Sequence, residues 1–331
     1  MDTIKQCKSG LLNTEQSHRS SGGIVAVYST DESHNHTHEK VARTKIAEQL
    51  AVLTGRKFVG EYDHSYCGVY FVPNETLVGI ERANELGMRC EHDLFGGLVP
   101  YPFIATKAIT HPLIEPDAQA PKGWSHEFSR RVHGSVLLGY SVFTLDDARR
   151  AGRCLLQHGP VRIKPVRATG GRGQTVISNF PDLEIALNMI DSAELLSCGL
   201  VLEENLKAVT TYSVGQVRVS DLLATYYGTQ RLTRDRKGEY VYGGSDLLIV
   251  RGDFEALVGL HPSREAQLAL TQAQVYDTAA MELFTGMFAS RRNYDIAQGL
   301  NSEGRWCSGV LEQSWRIGGA SSAEIVALAA F

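Results

Sequence analysis

The sequence lacks several features that mark particular classes of protein. Its 331 residues include only six cysteines and ten prolines, and the cysteines are scattered without a C-x-x-C pair. Disulfide frameworks and zinc sites space their cysteines closely, so this pattern indicates reduced thiols. We therefore expect a cytoplasmic protein.

Long hydrophobic runs and a charge excess of one sign are also missing. No apolar run reaches the ~18 residues of a membrane span, and residues 1–22 lack the hydrophobic segment of a signal peptide. The chain carries 33 Lys and Arg against 37 Asp and Glu, a formal net charge of −4. Proteins that bind mainly to the phosphate backbone of nucleic acid are instead basic. We expect neither a membrane nor a nucleic-acid partner.

What remains is the composition of a globular chain, with 43% hydrophobic and 21% charged residues. This length corresponds to about two domains of ~150 residues. The polar residues 1–22 predict a disordered tail. We predict an N-terminal α/β domain over 23–115, a central lobe over 116–200 and a C-terminal lobe over 201–331.

The N-terminal domain alternates strands and helices. Apolar runs predict strands over 24–28 and 69–73. A helix follows each run: one begins at Thr37, carries an apolar stripe and ends at Gly55, and the other covers 76–86. This alternation predicts a parallel sheet.

Later segments favour antiparallel pairing. Strands at 161–166 and 175–177 lie too close together for a helical crossover, which predicts a hairpin. The remaining elements include helices that begin at Thr144, at about Asp182 and at Ser263, a terminal helix over 321–331, and strands over 211–219, 222–229, 240–250, 294–297 and 309–315. The fold class is therefore α/β followed by α+β.

The first candidate site combines a strand lysine with a glycine-rich turn. Lys164 precedes Gly170, Gly171 and Gly173, and Arg162 and Arg167 flank the lysine. Glycines let backbone N–H groups approach an anion closely, and the cations add charge. The pattern favours polyphosphate binding over the alternative, an ordinary glycine hairpin with a surface lysine.

The second candidate site is a group of oxygen ligands near the C-terminal end. Glu312 and Ser314 lie two apart on one strand and share a face with Arg316, and Asp295 lies on the neighbouring strand. Carboxylate and hydroxyl oxygens suit Mg²⁺ that bridges substrate phosphates. The alternative, a salt bridge between Glu312 and Arg316 with Asp295 solvated, is at least as compatible with the sequence alone.

In this order the two constellations, with an apolar strand running into an acidic segment between them, resemble the ATP-grasp superfamily of carboxylate ligases. The resemblance covers roughly residues 100–331, and it is to a bacterial branch loosely labelled biotin carboxylase-like. It implies an N-terminal parallel domain followed by a two-lobed ATP-grasp module with an antiparallel sheet.

The resemblance also implies a role for each matching residue. Lys164 would hold the α- and β-phosphates of ATP, with Lys107 as a second phosphate lysine, and Arg316 would steady charge on the transferred phosphoryl group. The β- and γ-phosphates would be covered by Gly170, Gly171 and Gly173. The adenine would be lined by Glu203, Glu204, Asn205 and Leu206. Mg²⁺ would be held by Asp295, Glu312 and Ser314.

The function implied by the resemblance is ATP-dependent activation of a small-molecule carboxylate as an acyl phosphate, which an amine or other nucleophile then captures. Two departures support an alternative, a non-catalytic nucleotide-binding protein. Ser314 stands where the family usually has Asn, and 210–213 lack the acidic residue that binds ribose. A third hypothesis is a protein that binds a metal or a sugar without a nucleotide. A homodimer is compatible with this sequence.

Two further segments carry side chains capable of chemistry. His34, His36 and His38 alternate after the first strand, where they would ligate a metal or hold an acidic substrate. We favour a solvated loop there, with Thr37 as the helix cap. The segment 242–246 would cover a substrate, but its composition favours a plain turn.

Overall fold

The computed structural model describes residues 23–30, 37–167, 173–234, 238 and 240–331. The expected disordered tail, His34, His36, Gly170 and Gly171 lie outside the described residues. The side chain of His38 is likewise not described.

The chain begins with a parallel sheet, as the sequence predicted. Its strands are β1 (Ile24–Tyr28), β2 (Lys57–Glu61) and β3 (Val69–Pro73), in the order β2-β1-β3, and helix α1 (Thr37–Thr54) connects β1 to β2. Gly55 follows α1 at φ +66°, the left-handed conformation that ends many helices. Strand β2 was not predicted, because its sequence is less apolar than that of its neighbours.

The segment predicted as a helix over 76–86 is divided in the structure. It forms strand β4 (Leu77–Val78) and then a shorter helix α2 (Ile80–Glu85), and β5 (Gly97–Val99) pairs with β4 in parallel. Gly79 separates strand from helix at φ +98°, and its N–H donates to Val99 O at 2.9 Å. The glycine therefore breaks the predicted helix.

A second sheet forms the central part of the chain. Its order is β6-β9-β7-β8, and each neighbouring pair is antiparallel, so the predicted hairpin of β7 and β8 is confirmed. Thr144 caps α4 by accepting a hydrogen bond from Asp147 N. The elements are α3 (His126–Val132), β6 (Gly139–Val142), α4 (Leu145–Leu156), β7 (Val161–Pro165), β8 (Thr175–Ile177), α5 (Phe180–Asn188), α6 (Ser192–Cys198) and β9 (Leu200–Glu204).

The remaining strands form a five-stranded antiparallel sheet in the order β12-β11-β10-β14-β15. Ser263 caps the long helix α8, as predicted. The elements are β10 (Lys207–Val219), β11 (Leu222–Arg234), β12 (Tyr240–Arg251), α7 (Phe254–Val258), α8 (Arg264–Leu283), β13 (Phe288–Ala289), β14 (Arg291–Leu300), β15 (Trp306–Ser314) and α9 (Ser321–Ala330). Strand β13 pairs with β5.

One face of the five-stranded sheet packs against α8. Tyr294 on β14 donates a hydrogen bond to Asp277 of α8 at 2.5 Å. Because side chains alternate along a strand, Asp295 points to the opposite face. That face carries the candidate metal ligands. In the described part of the chain, no helix is long and apolar enough to cross a membrane.

Candidate active site

A cavity of about 520 Å³ lies between the central sheet and the five-stranded sheet. Most of the residues singled out in the sequence line it: Lys107, Lys164, Glu203, Glu204, Leu206, Asp295, Glu312, Ser314 and Arg316. Asn205 and Gly173 are not among its lining residues. The two candidate sites, which are far apart in the sequence, therefore share one cavity.

Lys164 forms a buried ion pair with Glu203. Their side chains are 4% and 2% exposed, and His111 Nε2 lies 3.1 Å from the second carboxylate oxygen of Glu203. Burial raises the pKa of Glu203, but the charge of Lys164 and the hydrogen bond from His111 outweigh burial and lower that pKa to about 2. Burial also lowers the pKa of Lys164. The lysine thus belongs to a charge network on the cavity wall, and is not the surface lysine of the alternative reading.

Asp295 and Glu312 stand directly opposite each other on β14 and β15. The register shifts immediately afterwards, because Ile296 pairs with Val310 and Leu311 is left as an extra residue. Such bulges re-aim the side chains beside them. Burial raises the pKa of Asp295, and the nearby charge of Glu312 raises it further.

This carboxylate pair fits a divalent cation, because a cation would compensate the repulsion that raises the pKa of Asp295. Asp295 Oδ1 also accepts hydrogen bonds from Ser213 Oγ at 3.1 Å and Asn293 Nδ2 at 2.9 Å. Within the described ranges, no group of three or more His, Cys, Asp or Glu is arranged to hold a metal. The protein would therefore supply few ligands, and phosphate oxygens and water would complete the shell, as Mg²⁺ prefers.

The expected alternative for this region, an ion pair between Glu312 and Arg316, is wrong. Glu312 instead accepts from Lys107 Nζ at 2.9 Å, and Arg316 pairs with Glu75 at 3.3 Å. Asp295 is part of a hydrogen-bonded network and is not simply solvated. The sequence spacing could not reveal these pairs, because Lys107 lies about 200 residues from Glu312 and Glu75 lies still further from Arg316.

Arg291 fixes the backbone that follows β15. It is buried with Glu324 of α9, with Nε 3.1 Å and 3.0 Å from the two carboxylate oxygens. Its Nη1 donates to the carbonyl oxygen of Arg316 at 2.6 Å and approaches Ser314 Oγ at 3.4 Å. The hydroxyl expected to bind metal therefore already has an arginine neighbour.

The segment after β9 closes one end of the cavity. Glu204 accepts a hydrogen bond from Leu138 N at 3.2 Å. Asn205 Oδ1 accepts two bonds from Arg162, at 2.7 Å and 3.2 Å, and Arg162 also donates to Gln174 Oε1 at 3.0 Å. Arg162 lines the cavity and, among the described residues, pairs with amides instead of a carboxylate. Its positive charge is thus available to an anion.

Tyr242 also lines the cavity, and the plain turn expected over 242–246 is wrong because these residues lie inside strand β12. The tyrosine packs over Gly319, where an added Cβ would overlap its ring. The other lining residues that sequence reasoning missed include Thr76, Thr106, Gln230, Arg291 and Asn293. Arg291 and Asn293 had a signal, since they lie four and two residues before Asp295 on one strand and so share its face.

Comparison with curated proteins gives no match. Among solved structures, D-alanyl-alanine synthetase A from Vibrio cholerae O1 biovar eltor is similar, with a TM-score of 0.54, 12% identity and 89% of each chain covered. D-alanine–D-alanine ligase from Bacillus anthracis gives a TM-score of 0.48 at 11% identity, covering 92% of this chain and 95% of that chain. The first likeness confirms the fold class that the resemblance implied, a parallel α/β part followed by lobes with antiparallel sheets.

The family comparison agrees with the extent of the described fold. A family model described as "Protein of unknown function (DUF3182)" matches residues 25–331, from β1 through α9. The match covers far more than half of the chain, and the chain therefore belongs to the DUF3182 family.

Proposed function

We propose that this protein is an ATP- and Mg²⁺-dependent ligase that activates a small-molecule carboxylate for attack by an amine or other nucleophile. The observation that carries the proposal is the direct pairing of Asp295 and Glu312 in the cavity that also contains Lys164 and Arg316. Carboxylates suited to a metal and cations suited to phosphates, drawn from the two candidate sites, thus line the same cavity. The ATP-grasp fold supports a nucleotide between the two lobes.

Each residue has a task in this proposal. Asp295 and Glu312 hold Mg²⁺, which when bound neutralises charge on the phosphates. Lys164 and Arg162 lie along the nucleotide, with Glu203, Glu204 and Leu206 beside the adenine. Arg316 lies near the transferred phosphoryl group and steadies its charge. Ser314 and Lys107 line the same wall. Lys107 is a second phosphate contact when Glu312 binds the metal instead of the lysine.

The proposed reaction has two steps. A carboxylate oxygen of the substrate bonds to the γ-phosphorus while the bond from that phosphorus to the ADP oxygen breaks. The amine nitrogen then bonds to the acyl carbon, the phosphate leaves with the electrons of the carbon–oxygen bond, and the nitrogen loses a proton to water. Positioning and charge neutralisation carry both steps, without a covalent bond to the protein.

Thermal-shift titration tests nucleotide and metal binding together, because a ligand of the folded state raises the midpoint. ATP with Mg²⁺ should raise Tm more than ATP alone in the wild type, but not in Asp295→Asn or Glu312→Gln. Glu303→Gln, at the exposed turn between β14 and β15, is the matched control and should keep the Mg²⁺ effect. If both site variants retain it, these carboxylates are not the metal ligands.

A product assay tests the reaction. With a panel of small carboxylates and amines, the substrate pair should raise ADP release above the ATP-only background. When the amine is omitted, hydroxylamine should trap the activated carboxylate as a hydroxamate. AMP as the product would overturn the acyl-phosphate route.

The second candidate is a non-catalytic nucleotide-binding protein. It is favoured by the ion pair of Lys107 with Glu312, which engages one proposed metal ligand, and by Ser314 in place of the family's Asn. Tight ATP binding without ADP release across the whole panel would select this candidate.

A further inference from the structure

A second, smaller cavity of about 280 Å³ adjoins the first, and Thr76 lines both. Its walls come from β4, α2 and β5 and are mostly hydrocarbon: Leu77, Val78, Ala83, Leu86 and Leu98. Thr30 and Arg82 supply the other polar groups. The volume is near the lower end of the ~300–1,000 Å³ of small-molecule pockets, so a small ligand with an apolar body would fit.

Arg82 is the cation of this second cavity. Its Nε and Nη2 donate to Tyr28 Oη at 3.0 Å and 2.7 Å, and the guanidinium carbon lies 5.9 Å from the centre of the Tyr28 ring. Tyrosine fixes the guanidinium without neutralising it. Arginine has five N–H donors in a planar fork, so further donors remain for a carboxylate.

Arg82 differs in ion pairing from four of the five described cations that line the first cavity; the fifth, Arg162, pairs with amides. Lys107, Lys164, Arg291 and Arg316 each form an ion pair with a carboxylate there. Among the described residues, Arg82 has no such ion pair. An anion that binds Arg82 therefore breaks no salt bridge with any of the described residues.

The two cavities share one lining residue, Thr76, which follows Glu75, the partner of Arg316. Glu75 pairs with Arg316 at 3.3 Å, and the next residue, Thr76, lines both cavities. A ligand with its reacting carboxylate near Arg316 and its other end among the hydrocarbon walls beside Arg82 would have to pass Thr76.

From this arrangement we propose that the second cavity binds the far end of the carboxylate substrate, and that this substrate is an aliphatic dicarboxylate. One carboxylate is activated in the first cavity, the hydrocarbon body contacts Leu77, Val78 and Leu98, and Arg82 binds the second carboxylate. The inference rests on the proposed function only in stating which carboxylate is activated.

Calorimetric titration of the full chain tests the proposal, with Mg²⁺ and a non-hydrolysable ATP analogue present. Glutarate and adipate should bind at least about tenfold more tightly than pentanoate and hexanoate, because only the diacids gain a charge-assisted bond to Arg82. Arg82→Gln should abolish this preference. Arg89→Gln removes an exposed arginine of the same region that does not line either cavity, and should preserve it.

The outcomes separate this inference from the proposed function. Equal affinity for diacids and monoacids, or a diacid preference that survives Arg82→Gln, overturns the dicarboxylate assignment. Nucleotide binding without binding of either acid also overturns it and leaves the nucleotide site standing. Diacid binding that depends on Arg82, in a protein that does not bind the nucleotide, supports the second cavity while the proposed function fails.

Discussion

Lys164 on β7 and Glu203 on β9 neutralise each other inside the wall of the larger cavity. Both residues are almost fully excluded from water, at 3% and 1% exposure, and His111 approaches the same carboxylate. A buried ion pair stabilises little relative to an apolar pair of equal volume, but removal of one partner leaves an uncompensated charge. The pair therefore constrains the fold of the cavity wall.

The first prediction concerns this coupling. Glu203→Gln alone should lower the free energy of unfolding by ~3–5 kcal/mol, because Lys164 then remains charged and unpaired. The double variant Lys164→Met with Glu203→Gln should recover much of that loss. Denaturant unfolding of the single and double variants measures the coupling, and additive losses would show that the two side chains do not interact.

The second prediction is the pH dependence of the same pair. The folded-state pKa of Glu203 is about 2, below the ~4.3 of an unfolded chain. Its contribution to stability is therefore fully present above pH ~4.3 and is lost as the pH falls towards 2. Relative to Glu203→Gln with Lys164→Met, the wild type should lose stability over this window. A parallel dependence of both proteins would contradict the depressed pKa.

The third prediction concerns Asp295, whose pKa is raised by burial and by Glu312. An acid with a raised folded-state pKa destabilises the fold at neutral pH, and this effect disappears as the pH falls below the unfolded value. Asp295→Asn should thus be more stable than the wild type at pH 7, by ~0.5–2 kcal/mol. The gain should shrink in acid.

The same variant should lose any Mg²⁺-dependent stabilisation by ATP. Thermal melts at neutral and acidic pH, with and without Mg²⁺ and ATP, measure both effects. A less stable Asp295→Asn at pH 7 would mean that its hydrogen bonds to Ser213 and Asn293 outweigh the charge.

The fourth prediction concerns Arg291 and Glu324. Both are buried, and Arg291 holds the carbonyl oxygen of Arg316. Glu324→Gln should destabilise the protein by ~3–5 kcal/mol, whereas Glu255→Gln in the short α7, at an exposed position, should change stability by less than ~0.5 kcal/mol. Denaturant unfolding compares the two variants, and similar stabilities would remove the structural role of this pair.

Much of the fold followed from local patterns, because alternation of strands and helices and the capping residues Thr144 and Ser263 act within a few residues. The structure departs from these predictions where a single residue overrides the local pattern. Gly79 divides a predicted helix. Helix α6 was not predicted, because it begins shortly after α5 ends, with Asp191 as its N-cap.

The cavity residues singled out in the sequence came from local spacing, near the C-terminal end and around Lys164, and, for Lys107 and the lining residues of 203–206, from the family resemblance. Two-residue spacing placed Glu312 and Ser314 on one face, and the hairpin brought Asp295 alongside. The partners of these groups come from distant segments: Lys107 for Glu312, Glu75 for Arg316 and Glu324 for Arg291. Such pairings depend on tertiary packing, which no local period in the sequence encodes.

Helix α9 has a consequence for the order of folding during synthesis. Ile325 and Leu328 complete a core with Val25, Leu50 and Val217, while Glu324 anchors Arg291. On the ribosome, the first strand emerges long before the helix that covers part of its core. The nascent chain therefore carries an exposed apolar surface, and a cavity wall without its arginine anchor, until residues 321–330 have left the exit tunnel.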